Sequence, residues 1–309
     1  MSNVPSAITS VRLRNFGPLL DFKQPNLDAV NLYCGANGTG KTFLLKAIYA
    51  AVKSLKIYRR GGEPRSFNAI LEDKLYWTFQ AGELGALVSK SGVGDLVFEM
   101  EFGDGKLTFR IDRKTSAVAV LEQSCNPRVS NSTFCSPESV LPRYPAILSS
   151  RERNCLFGFD DPRYDLALAS TYPISQSDSS ERFSECRKIL SEIIGGTAAF
   201  NASVGDWFFV DFDGNRYPIS VAGETVCKLG ALERLLGNRY IARGSVLFFD
   251  EPTAGFAPDA SLRLWKVLRL LVEEDVQVFA ATSSKSTYRS MKEAFKKHNC
   301  IIATNCRRS

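Results

Sequence analysis

The segment Gly35-Ala36-Asn37-Gly38-Thr39-Gly40-Lys41-Thr42 fits G-x-x-x-x-G-K-[ST], a spacing suited to holding phosphates. Glycines let the backbone fold tightly enough for its N–H groups and a helix N-terminus to face phosphate oxygens where no side chain could fit. Lys41 is then expected to reach the β- and γ-phosphates of a nucleoside triphosphate, and Thr42 to hold Mg²⁺. Phe43 leaves the loop and is counted with the cofactor-binding set.

A second segment, Ser245-Val246-Leu247-Phe248-Phe249-Asp250-Glu251-Pro252, runs four apolar residues into two carboxylates. A buried parallel strand delivers acids to the carboxyl edge of a sheet in this way. Asp250 is expected to complete the Mg²⁺ shell, and Glu251 to orient or deprotonate an attacking water. Taken singly, each motif also describes an ordinary structural turn: a glycine-rich strand-to-helix turn, or a buried strand ending at Asp and Pro. Together and in this order they point to nucleotide binding and to catalytic roles for Lys41 and Glu251.

Positioning these groups requires a strand before each motif and a helix after the loop. Ala29 to Cys34 reads as the buried strand, and Phe43 to Tyr49 has helical periodicity. Ala7 to Arg14 alternates like an exposed edge strand, with Leu19 to Phe22 as its hairpin partner. Asp95 to Phe102, Lys106 to Ile111 and Ala117 to Leu121 suggest an antiparallel meander. From Ser124 to about Asp161 the composition of Ser, Asn, Pro and Cys predicts loop or a weakly structured insertion. A helix over Ser180 to Ile194 and a hairpin around Asp213-Gly214-Asn215 follow. The last third alternates helix and strand: helix Val226 to Leu236, strand Val246 to Phe249, helix Asp259 to Val272, strand Val276 to Ala281, helix Lys285 to Lys297, strand Cys300 to Thr304. Such alternation implies a largely parallel sheet covered by helices.

At 309 residues and 44% hydrophobic content the chain can bury a large core. No apolar run approaches the ~20 residues that span a bilayer, and Met1 to Ser6 has no signal-peptide pattern, so a cytoplasmic protein without membrane contact is expected. The cysteines, Cys34, Cys125, Cys135, Cys155, Cys186, Cys227, Cys300 and Cys306, form no C-x-x-C pair and read as reduced small hydrophobes. A net charge of +6 permits nucleic-acid contact without arguing for it. Lys53, Lys56, Arg59 and Arg60, and Lys285, Arg289, Lys292, Lys296 and Lys297, form basic clusters that are either solvated helix faces or a DNA path. The histidine, His298, reads as an exposed helix-end residue.

Ile8 to Phe16 followed by Gly35 to Thr42 resembles the opening of the ABC-type ATPases of the SMC, RecF and OLD group. Gly244 to Pro252 and Val276 to Thr282 resemble the group's second motif and the strand before its switch residue. Tyr164-Asp165-Leu166 and Val221 to Leu232 resemble small stand-alone bacterial ATPases of the AAA_15/AAA_21 kind. The resemblance covers roughly the first 55 residues and the last 90; between them it is thin. It implies an α/β P-loop ABC-ATPase head: a mostly parallel core sheet, an antiparallel β lobe and a small helical insertion. Residues 1–122 would form the β-rich lobe with the phosphate loop, 123–220 the insertion and helical part, and 221–309 the signature-like segment and C-terminal α/β part. Lys41 to Asp250 is too short an interval for coiled-coil arms and carries no heptad run. Too little follows the switch position for a nuclease domain, so an effector is expected to be a separate protein.

The resemblance further implies Asn15 as a cofactor-binding position, and ATP with Mg²⁺ held between two copies of the chain, head to tail. The trans signature candidates are Ala222, Gly223, Glu224 and Thr225, with either Gly223 or Thr225 at the signature glycine. Three positions depart from the family. The signature lacks its usual serine, Ala257 stands where Asp or Asn crosses the dimer, and Ser283 stands at the switch position normally held by histidine. No glutamine can be assigned to the loop that reads the γ-phosphate. Loss of groups that stabilise charge on the γ-phosphate should slow turnover more than it weakens binding. The implied function is an ATP-binding, slowly hydrolysing switch that dimerises on ATP and controls a nuclease or toxin in anti-phage defence or DNA repair. A non-hydrolysing ATP-binding scaffold is the alternative.

Overall fold

The computed structural model describes residues 7–176, 180–296 and 301–305. Met1 to Ser6, Lys297, His298, Cys300 and Cys306 lie outside them.

The chain opens with β1 (Ile8–Phe16) and β2 (Leu19–Gln24), followed by β3 (Val30–Cys34) and α1 (Lys41–Ile57). Next come α2 (Phe67–Phe79) and the meander β4 (Leu96–Phe102), β5 (Gly105–Ile111) and β6 (Val118–Gln123). Then β7 (Ser132–Cys135) precedes α3 (Tyr144–Leu148), α4 (Asp161–Thr171) and α5 (Glu181–Ile194). A small sheet of β8 (Gly196–Asn201), β9 (Asp206–Asp211) and β10 (Arg216–Pro218) leads to α6 (Glu224–Gly237). The chain continues through β11 (Val246–Asp250), α7 (Pro258–Val272), β12 (Gln277–Thr282), α8 (Lys285–Lys296) and β13 (Ile301–Asn305).

The central sheet is parallel throughout, in the order β13-β3-β12-β11-β7. Its inner strands β3, β11 and β12 are buried on both faces, so they read as largely apolar runs rather than alternation. On one face Phe134, Phe248 and Phe279 stack across three adjacent strands at 6.1 and 5.2 Å, and Tyr49 of α1 meets Phe134 and Phe248 edge-on. These rings join a core shared with the antiparallel sheet β2-β1-β4-β5-β6. Leu247, Phe249, Val278 and Ala280 point the other way, into a core built with α5, α6, α7 and α8. Among the described residues the longest helix is α1, with 17 residues, so no coiled-coil arm is present there.

Three expectations are corrected. The first strand is internal, because β1 pairs with both β2 and β4; its alternation reflects one sheet face turned to solvent, which an internal strand of an antiparallel sheet shares with an edge strand. The segment expected to be loop contains β7, which pairs in parallel with β11 as part of the central sheet. Its four residues are too few for a period, and its buried Ser132 and Thr133 look polar in sequence. Lys53 and Lys56 do not form an exposed basic face. Both are buried on α1: Lys53 pairs with Asp165 at 3.1 Å and donates to the Tyr240 hydroxyl, while Lys56 donates to the Val129 carbonyl.

Candidate nucleotide site

Both motifs meet at the carboxyl edge of the parallel sheet. β3 ends at Cys34, and the loop then turns through Gly38 (φ 79°) and Gly40 (φ 86°), left-handed values that favour glycine. Gly40 also caps α1 under the β1–β2 turn, where a Cβ would lie 2.9 Å from Pro18 and 2.8 Å from Leu19. At Gly17 a Cβ would run into the Phe43 ring, 2.5 Å away. The hairpin turn therefore closes onto the loop, and Phe43 is locked between Phe16 (5.1 Å) and Phe79 (4.5 Å).

A cavity of about 700 Å³ opens here, lined by Pro18, Asn37, Gly38, Gly40, Lys41, Thr42, Phe43, Lys46, Phe79, Pro137, Asp250 and Glu251. Lys41 folds back into its own loop, donating to the carbonyls of Gly35 (2.8 Å) and Ala36 (2.9 Å). Thr39 donates to the Ala36 carbonyl and is otherwise buried. Gly35, Ala36 and Thr39 thus shape the loop from within rather than line the cavity. The Thr42 hydroxyl donates to Asp250 Oδ2 at 2.7 Å, joining two segments far apart in sequence. Burial raises the Asp250 carboxyl above its usual range, and the Glu251 charge adds to this; the Thr42 hydrogen bond and the ammoniums of Lys46 and Lys41 oppose it.

Glu251 sits at φ 50°, a strained left-handed value for a non-glycine residue. Its backbone N–H donates to Ala281, and its carboxylate accepts from the Thr282 hydroxyl and the Ser283 N–H, both at 2.6 Å. β12 thereby holds the acid against the cavity, and Ser283, the residue expected at the switch position, contributes its backbone N–H to that hold.

Asn15 is not brought to this cavity. With φ 53° at the end of β1, its amide donates to the carbonyls of Val93 (2.6 Å) and Asp95 (3.2 Å), so it shapes a loop of the antiparallel lobe. Ala222, Gly223, Glu224 and Thr225 do not line the cavity either; they form the N-terminal end of α6, capped by Gly223. Glu224 accepts from the Ser139 N–H and hydroxyl, Thr225 donates to Gly255, and Lys228 donates to Ala254. This turn is therefore tied to the loop after β7 and to the loop after Glu251. Ala257 caps α7 and is exposed.

Pro18, Lys46, Phe79 and Pro137 are cavity residues that motif reasoning missed. Lys46 carries a signal, one helical turn beyond Thr42 on the same face. Pro137 carries none, because its place depends on β7. No glutamine lines the cavity.

No protein-family model matches the sequence, nor does any curated protein. Among solved structures the chain is similar to an SmcHead bound to the C-winged helix domain of ScpA, with 14% identity and a TM-score of 0.55 over 97% of this chain and 94% of that one. It is also similar to the Smc head domain with an extended coiled coil bound to the C-terminal domain of ScpA from Pyrococcus furiosus, with 13% identity and a TM-score of 0.53 over 97% and 94%. The chain therefore has the fold of the Smc head domains. The narrower likeness to AAA_15/AAA_21 ATPases stays a resemblance of sequence.

Proposed function

We propose that the chain is an ATP-controlled switch: it binds ATP with Mg²⁺ at the Gly35 to Thr42 loop, hydrolyses it slowly, and uses the bound nucleotide to bring two copies together. The observation that carries this reading is the 2.7 Å contact between Thr42 and Asp250, with Glu251 lining the same cavity. A hydroxyl and a carboxylate are oxygen donors of the kind Mg²⁺ takes. No group of three or more His, Cys, Asp or Glu that could hold a metal occurs among the described residues, so the other positions would fall to phosphate oxygens and water. Bound there, Mg²⁺ would neutralise phosphate charge. Lys41 would exchange its two carbonyl partners for phosphate oxygens, and Glu251 would orient the attacking water and accept its proton.

Slow turnover follows from what the cavity lacks. Ser283 offers no imidazole, and Pro137, which has neither an N–H nor a polar side chain, faces the cavity. The exposed end of α6 would meet the partner's phosphates, since a helix N-terminus favours anions. Within the resemblance to stand-alone heads, such a dimer would hold or release a separate nuclease or toxin in anti-phage defence or DNA repair. The exposed stripe of Lys285, Arg289, Lys292 and Lys296 on α8 is where DNA would be accommodated. A non-hydrolysing ATP-binding scaffold is the second reading, favoured by Glu251 having both oxygens already engaged.

The test is paired. ATP should raise the melting temperature of wild type and not of Lys41→Ala, because a ligand bound only to the folded state stabilises it by mass action. Glu251→Gln should form a dimer in light scattering with ATP but not with ADP. Equal melting shifts would remove the nucleotide site, and one mass under both nucleotides would remove the switch.

A further inference from the structure

Lys46 sits one helical turn beyond Thr42 on α1, so both side chains leave the same face of the helix. It lines the same cavity as Lys41, Asp250 and Glu251, and its charge helps to keep Asp250 ionised against the cost of burial. At present its ammonium is held by Asp160 Oδ2 at 2.6 Å, with the Lys46 side chain 22% exposed and that of Asp160 6% exposed. Asp160 is the N-cap of α4 and accepts the Arg163 N–H at 3.1 Å; the Arg163 guanidinium donates to the same Oδ2 at 3.2 Å. Asp160 thus has two cations for one carboxylate. Giving up Lys46 would leave it paired with Arg163 and still capping its helix, so no buried charge would be stranded.

We propose that Lys46 is a further nucleotide-binding residue, a second cation that exchanges Asp160 for the γ-phosphate of ATP. This rests on the nucleotide reading above. The cavity has a specific use for such a group: no glutamine lines it, Pro137 faces it without a donor, and Ser283 presents no imidazole. A lysine on the first turns of the phosphate-loop helix, already ion-paired but replaceable at its partner, supplies positive charge without requiring an ammonium to be buried alone.

The inference makes the two members of the ion pair act in opposite directions. Lys46→Met should weaken ATP binding about tenfold, as expected for a lost charge-assisted contact, while changing ADP binding less than about twofold. Asp160→Asn, which keeps an N-cap, should tighten ATP binding several-fold by freeing the lysine. Titration calorimetry of the full chain with Mg·ATP and Mg·ADP measures both. Equal losses for ATP and ADP in Lys46→Met, or no loss at all, would overturn the proposal and leave the pair a tie between α1 and α4. Weakened ATP binding in a folded Asp160→Asn would overturn it as well. If Asp160→Asn does not fold, the ATP-to-ADP ratio in Lys46→Met decides alone. Lys41→Ala run alongside separates the two claims: full ATP affinity in that variant removes the nucleotide site itself.

Discussion

Glu251 accepts the backbone N–H of Ser283 at 2.6 Å, so Ser283 holds the acid through its main chain. The neighbouring Thr282 hydroxyl accepts the Ser284 N–H and therefore directs its own proton to Glu251, at 2.6 Å. Acid and strand end form one unit. The strained φ of Glu251 is sustained by these contacts together with its N–H bond to Ala281.

Thr282 should therefore act as a positioning residue. Thr282→Val keeps the buried shape but removes the donor, and kcat is expected to fall about tenfold, the order of a hydrogen bond to a charged group. Thr282→Ser should restore most of the rate. Steady-state phosphate release is the measurement, and an unchanged kcat in Thr282→Val would show that Glu251 needs no such clamp.

Asp250 gives a pH dependence. Burial is the main cause of its raised carboxyl. A group whose folded value lies above its unfolded value binds protons more readily when folded, so ionising it costs stability, and folding gains as pH falls through the raised value. Metal-dependent binding runs the other way, because Mg²⁺ needs the ionised carboxylate. Mg·ATP affinity should decline on acidification at a pH above the ~3.9 of an ordinary aspartate. Glu251→Gln, which removes a charge that raises Asp250, should move that decline to lower pH. Titrations at stepped pH with the two proteins would show no offset if Asp250 is not a metal ligand.

The buried network behind the site predicts a stability loss. Burial opposes charge on Asp165, but Lys53 and Lys74 overcome it and hold the carboxyl below its usual range, with the Tyr49 hydroxyl donating at 2.5 Å. Lys53→Met leaves Asp165 short of a partner and should cost about 3 kcal/mol in urea unfolding, the low end for a broken buried pair, since Lys74 remains. A change below about 0.5 kcal/mol, typical of surface substitutions, would mean that Lys53 behaves as an exposed charge.

Lys41, Thr42, Asp250 and Glu251 were legible because each motif combines a contiguous residue pattern with a buried strand, and only the meeting of the two strands had to be supplied by the fold. The helices and strands of the last third were legible for a similar reason, long apolar periods bounded by turns. β7 was not, since Ser132-Thr133-Phe134-Cys135 becomes a strand only through its register with Val246 to Phe249. The burial of Lys53 depends on Asp165, and Asn15 on the carbonyls of Val93 and Asp95, partners whose positions no local pattern reveals. The place of Lys46 beside Thr42 was open to helical spacing, but its pairing with Asp160 was not, because that pairing turns on where Asp160 caps α4.

The final prediction decides between a slow hydrolase and a scaffold. Ser283 and Ala257 are both exposed, so larger polar side chains can be introduced at either without displacing the core. Ser283→His would place an imidazole beside Glu251 while keeping the backbone N–H that holds it. Ala257→Asn would put an amide at the cap of α7, where Ser261 already donates to the Ala257 carbonyl, and an asparagine is itself a favoured cap. If these positions limit turnover, the double variant should raise kcat more than it changes KM, because the added groups act on charge that develops in the transition state. Phosphate release with and without DNA is the assay. A wild-type rate already within the ~1–100 s⁻¹ common to kinases would show that the departures carry no penalty. Absence of turnover in wild type and double variant alike, with ATP still raising the melting temperature, would establish the scaffold.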